Sequence, residues 1–199
     1  MIKTSAVFAL LVAAASSNAA LVTLGGDFSG TFGNGNLINI NSAGQTTFSQ
    51  SLGDASVSGT VRFSSFFFGN EQSIELTLTN FTYSSTATSP RTLSVRIVQN
   101  YLLQGDMMSG TASHQVNGNI NYSAVGQVVT ASIASQHEST SLPTLFVNPN
   151  GVGAGFAGGV PIARGQGPVT PLSVSGPLYT IDTTYTFVLS AFGSSLSVV

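Results

Sequence analysis

The stretch ASVSGTVRFSSFFFGNEQSIELTLTNFTYSS, residues 55–85, decides the fold. Val57, Val61, Phe63 and Phe67 share one parity, and after Gly69-Asn70 so do Ile74, Leu76 and Leu78. An extended chain turns successive side chains to opposite faces, so this period of two gathers apolar groups on one side of each strand and Ser, Thr and Arg on the other. Two half-buried strands follow, with Gly69-Asn70 as the turn between them. Between Leu78 and Phe81 the apolar parity flips. Phe81 and Tyr83 then face the wrong way unless one extra residue is inserted, which predicts a β-bulge near Thr79-Asn80.

The same alternation recurs in Leu93, Val95 and Ile97 and, near the end, in Tyr179, Ile181, Tyr185, Phe187 and Leu189. Ser89-Pro90 marks a turn before the first of these runs, and Asn117-Gly118 carries the dipeptide of a type I′ hairpin. No segment beyond the first twenty residues or so combines helical apolar spacing with helix caps. Many strands, frequent turns and no crossover helices predict an all-β fold: an antiparallel β-sandwich, with a jelly roll or barrel as the alternative. Residues 143–177 hold six of the seven prolines and eight of the 22 glycines, so they are expected to form a long irregular excursion. Short strands are expected within it only at Leu145 to Val147 and Leu172 to Val174. No repeat of fixed period points to a propeller or β-helix.

The start of the chain carries an address. Met1 and Lys3 precede an apolar run from Ala6 to Ala15 and then Ser16-Ser17-Asn18-Ala19-Ala20, the three-part pattern of a secretory signal peptide over residues 1–19. The apolar run is about half of the roughly 20 residues that a bilayer-crossing helix needs. No later stretch is long and apolar enough, so no transmembrane segment is expected in the mature chain. Residues 20–199 read as a single domain, and about 180 residues suffice to bury roughly 70% of the unfolded surface.

Only 6% of residues are charged, and after Lys3 the sole basic residues besides histidine are Arg62, Arg91, Arg96 and Arg164. Nucleic acid is excluded as a partner, because releasing its counterions takes a basic footprint. The chain has no cysteine, so an exported domain of this kind relies on its core instead of disulfides.

Chemistry-bearing residues are few. His114 and His137 are the only near-neutral acid–base groups. His137 precedes Glu138, but neighbours in a strand face opposite ways and would not share a proton. The carboxylates Asp27, Asp54, Glu71, Glu75, Asp106, Glu138 and Asp182 are scattered. Glu71 and Glu75 share a parity about 13 Å apart, wider than the roughly 5 to 9.5 Å of glycoside hydrolysis, and read as charge that guards a strand edge. Gly26-Asp27-Phe28-Ser29-Gly30 lacks the spacing of a nucleophile elbow, and Gly33-Asn34-Gly35-Asn36 reads as a tight turn, not a calcium repeat. No metal-ligand spacing and no cofactor motif stands out. Asn80-Phe81-Thr82 and Asn121-Tyr122-Ser123 match the glycosylation sequon, as chance allows in a chain this rich in Asn, Ser and Thr. Phe63, Phe66, Phe67, Phe68, Phe81 and Tyr83 divide between two roles, a stacking platform or a core, and shared parity favours the core. No catalytic or metal residue is assigned, and the binding residues stay open.

The ending, Tyr179-Thr180-Ile181 and then Tyr185 through Ser197, resembles the last hairpin of exported bacterial proteins of the PEP-CTERM class. That resemblance implies a Ser/Thr/Gly-rich, cysteine-free β-sandwich acting outside the cell as a matrix or surface protein without catalytic residues. The Val-Pro-Glu-Pro motif, apolar helix and arginine cluster of that class are absent before Val199, so its sorting route is not expected to carry over. The reading is a secreted, non-enzymatic structural or matrix protein. Its rivals are an exported module that binds a polysaccharide or another protein, such as a matrix protein, and a secreted hydrolase using His114 or His137. Self-assembly through Phe66 to Phe68 is the expected risk of a low-charge apolar strand, and in the matrix role its use.

Overall fold

The computed structural model describes residues 20–104, 109–122, 129–147, 158–189 and 194–198; residues 1–19, where a signal peptide is expected, lie outside them. In chain order the strands are β1 (Leu21–Gly26), β2 (Gly30–Phe32), β3 (Ser42–Ser51), β4 (Ala55–Phe68) and β5 (Glu71–Ser85). Next come β6 (Arg91–Leu102), β7 (Ser109–Ala112), β8 (Gln115–Tyr122), β9 (Val129–His137), β10 (Thr140–Ser141) and β11 (Leu145–Val147). The last four are β12 (Gly158–Gln166), β13 (Thr170–Ser173), β14 (Leu178–Leu189) and β15 (Ser194–Val198). No described residue is helical, so nothing among them forms an apolar helix long enough to cross a membrane.

The strands form two antiparallel sheets that pack face to face as a sandwich. One runs β10-β9-β14-β6-β1-β2 with β11 also on β9, the other β12-β8-β15-β5-β4-β3, and a separate ladder joins β13 to β7. Register explains the packing. Leu93 is paired with Phe187 and Phe187 with Ala131, while Val95 meets Tyr185 and Tyr185 meets Ile133, so core-facing residues form rows across the sheet. Opposite them, Phe63, Phe81 and Tyr83 of the other sheet are fully buried.

The bulge lies where the parity flip placed it. Ser58 pairs with Thr82 but Thr60 with Thr79, so β5 carries one residue more than β4, and Asn80 takes a left-handed φ of 50°. Past it, Phe81 and Tyr83 turn inward. The Phe81 ring stacks on Phe187 of the opposite sheet at 4.6 Å between centroids, and Phe28 meets Tyr83 edge-on at 5.7 Å. Gly59, opposite the bulge on β4, leaves room for Phe48, whose ring lies 2.6 Å from where a Cβ would stand. The β4–β5 turn is Gly69-Asn70, with Gly69 at φ 61° as a first-position glycine of a II′ turn requires.

Three expectations are corrected. Asn117-Gly118 is not a turn but lies within β8, because Gly118 is paired on both sides, with Ile162 and Val198. Residues 143–177 are more regular than expected: besides β11 and β13 they hold the nine-residue β12. Pro161 is tolerated there because β12 is an edge strand, and a register shift between Ile162 and Gly165 absorbs the irregularity. The last two strands are not a hairpin. β14 has both edges occupied by β6 and β9, so β15 pairs in the other sheet, with β5 and β8.

Phe187→Ala is expected to cost about 3–5 kcal/mol in chemical denaturation, as for other buried phenylalanines. Phe68→Ala, at a side chain 68% exposed, should stay within about 0.5 kcal/mol of the parent.

Candidate functional site

One end of the sandwich holds a cavity of about 660 Å³. Glu71, Gln72 and Ile74 of β5 form one wall, β7 with Ser113 another, and Leu172 and Val174 close it from the β13 side. Its floor is the inner face of the seven-stranded sheet, where His137, Tyr179 and Ile181 line it.

That floor is polar by register. β9 and β14 pair so that His137 lies opposite Ile181 and Ser135 opposite Thr183, all on the inner face. The Nδ1 of His137 is 2.6 Å from the Tyr179 hydroxyl, and its Nε2 is 3.1 Å from Ser135 Oγ, which in turn is 2.8 Å from Thr183 Oγ1. A neutral imidazole offers one donor and one acceptor, and two hydroxyl partners satisfy either tautomer. Burial, with a smaller contribution from nearby His114, pushes the His137 pKa down to about 4, so the ring is neutral at neutral pH. Burial likewise raises the Tyr179 phenol. Beside the floor, the Gln72 side chain donates to Ser65 Oγ and the Leu102 carbonyl, both at 2.8 Å, and accepts the Gln104 N–H at 2.9 Å. The buried Tyr101 hydroxyl donates to the Glu75 carbonyl at 3.0 Å, tying the two sheets together at the same end.

The two histidines picked out from sequence thus lie in one region, with different surroundings. His137 is built into the floor. His114 is half-buried, and its ring nitrogens have no hydrogen-bond partner among the described residues. Its ring lies 2.8 Å from where a Cβ on Gly167 would stand, and burial lowers its pKa.

A serine within hydrogen-bond reach of a histidine invites comparison with acyl-transfer sites. Here the third member is a phenol instead of a carboxylate, Ser135 is only 6% exposed and does not line the cavity, and its hydroxyl is engaged by Thr183. The network orients side chains within the core and holds the Ser135 hydroxyl away from the cavity.

The carboxylates are occupied elsewhere or solvated. Asp54 and Asp27 flank Arg91 at 2.7 and 3.8 Å, and Asp27 also accepts the Thr92 N–H at 2.6 Å. Asp182 holds Arg96 through both of its oxygens. Glu138, at the β9–β10 turn, accepts the Thr180 N–H and makes no bond to His137. Glu71 and Glu75 are exposed, as an edge-guarding role predicts, and Asp106 lies outside the described residues. Ser135 and Thr183 escaped the sequence reading, although each is in phase with the apolar residues of its strand, and that phase was the available signal. No protein-family model matches the chain, and no curated protein matches it.

In the unfolded chain His137 takes up a proton near 6.5, in the folded one only near 4. Between these values the unfolded state holds more protons, so stability is fully present above the window and falls as pH drops through it. Thermal melts between pH 6.5 and 4 should therefore show a declining midpoint, with a shallower decline in His137→Gln.

Proposed function

We propose that this is an exported, non-enzymatic structural protein of the cell surface or extracellular matrix, which associates with its own kind through the tip of the β4–β5 hairpin. The observation that carries this reading is the pair Phe66 and Phe68. They stand 40% and 68% exposed on the outer face, with ring centroids 6.4 Å apart. The last residue of β4 that β3 covers is Ser65, so the pair projects past its neighbouring strand. A charge content of 6% leaves little repulsion to keep copies apart, while Glu71, opposite Phe68, limits indiscriminate edge pairing. The likeness of the chain's end to PEP-CTERM-class proteins and the signal-peptide pattern of residues 1–19 support the same reading.

Sedimentation velocity over a concentration series tests it. The mature protein is expected to form larger species as concentration rises, and Phe66→Ser/Phe68→Ser to remain monomeric; a parent that stays monomeric throughout overturns the assembly role.

Export also has a sharp readout. Ala20 is fully buried, and its carbonyl accepts the Thr46 hydroxyl at 3.0 Å, so cleavage after Ala19 preserves this contact and cleavage after Ala20 removes it. Intact-mass analysis of the exported protein should identify Ala20 as the first residue.

A further inference from the structure

The chain enters the fold beside a buried amide. β1 pairs Leu21 with Val98 of β6, and one step back in the same register Ala20 stands opposite Gln99, both fully buried on the inner face. Past Gln99 the edge of β6 is held by a different segment. The Ile38 N–H donates to the Asn100 carbonyl at 2.9 Å and the Leu102 N–H to the Ile38 carbonyl at 2.8 Å, with Ile38 bridged in parallel to Tyr101. A residue ahead of Ala20 therefore has no place along β6.

Gln99 marks this junction. Its Nε2 donates to the Asn36 and Asn100 carbonyls, both at 2.8 Å, which lays the amide against the edge where residues 36–38 take over from β1. The two carbonyls also fix which way the amide points, since an oxygen in the place of Nε2 would face two acceptors. Its Oε1 is buried with no hydrogen-bond partner among the described residues. A buried acceptor left unmatched is costly, and the chemistry that answers it is an N–H. Ala20 is fixed from its other side, where its carbonyl accepts the Thr46 hydroxyl at 3.0 Å and packs so close to Gly33 that a Cβ there would collide with it.

We propose that the α-ammonium created by cleavage after Ala19 is a structural group of the mature protein, received by Gln99 Oε1 at the entry to β1. The proposal rests on the export reading for the cut and adds what the cut does for the fold. An ammonium offers three donors where the Ala19–Ala20 amide offers one, and its charge-assisted bond is stronger than a neutral one. The segments around Ala20 are Gly33 to Ile38, Thr46 of β3, and Gln99 to Tyr101 of β6. They carry no acidic or basic side chain, and Tyr101 donates its hydroxyl to the Glu75 carbonyl. The acceptor is thus a neutral amide oxygen, not a carboxylate.

Composition gives this group a titration window of its own. After Lys3 there is no lysine, and the chain has no cysteine. Burial pushes both histidines down and the phenols of Tyr83, Tyr101, Tyr179 and Tyr185 up. A free tyrosine titrates only near 10, so from about pH 7 to 9 the α-ammonium dominates.

The test uses a chain released from a fusion with Ala20 first, so that it does not depend on where the natural cut falls. The assigned Ala20 methyl carbon is followed by NMR against pH. Its proton affinity is expected about tenfold above that of a free α-amino group, which titrates at about 7.7–8.0. A raised folded value means stability that is present below this range and lost as pH rises, so the melting midpoint should fall by about 2–4 °C from about pH 7 to 9. Gln99→Met, which removes the acceptor, should return the titration to the free range and abolish the fall. A chain retaining Ser17-Asn18-Ala19 carries its ammonium three residues further out and should behave like that variant. Should Gln99→Met not fold, the Ala20 chain and the extended chain decide. A titration at or below the free range in the Ala20 chain, or a raised one that persists in Gln99→Met or in the extended chain, overturns the proposal.

Discussion

The contact on which this fold depends is the stacking of Phe81 on Phe187, with Tyr83 and Phe28 beside it. It is the aromatic bridge between the sheets, and it exists because Asn80 is inserted as a bulge. Without that residue the two-residue period of β5 would carry Phe81 and Tyr83 to solvent, and the opposite sheet would lose the surface it buries. With no cysteine to form a disulfide and few ion pairs among the described residues, such burial is the main tie between the layers, beside hydrogen bonds such as that of Tyr101 to the Glu75 carbonyl.

The core is divided along its length. At the bulge end it is aromatic and aliphatic. At the other end Gln99, Ser135, His137 and Thr183 are buried with polar partners, and Tyr101 and Gln72 stitch β5 to the end of β6. Polar groups can be buried there because each His137 nitrogen meets a hydroxyl and Ser135 in turn meets Thr183, so the desolvation cost is offset by these bonds. The same end holds the cavity, so a neutral, hydrogen-bonded floor underlies it.

Much of the architecture was legible in the residues. Alternation located β4, β5, β6 and β14, and the parity flip located the bulge, because both follow from the local geometry of an extended chain. Composition misled at residues 143–177, where prolines and glycines read as irregular chain although an edge strand tolerates them when its ladder partner lies on the other side. Asn117-Gly118 misled for a related reason: the dipeptide permits a turn, but pairing with β12 and β15 on both sides held it extended. Phe66 and Phe68 could not be assigned from parity alone, since the strand they end continues past the neighbour that would have covered them.

The sequence by itself determined the class, the strand faces and the site of the bulge, because period-two alternation is written into neighbouring residues. Which sheet each strand joined, the meeting of His137 with Tyr179 across 42 positions, and the cavity beside β5 were decided only in the tertiary structure. These depend on partners far apart in the chain, and local geometry carries no record of who the partner is.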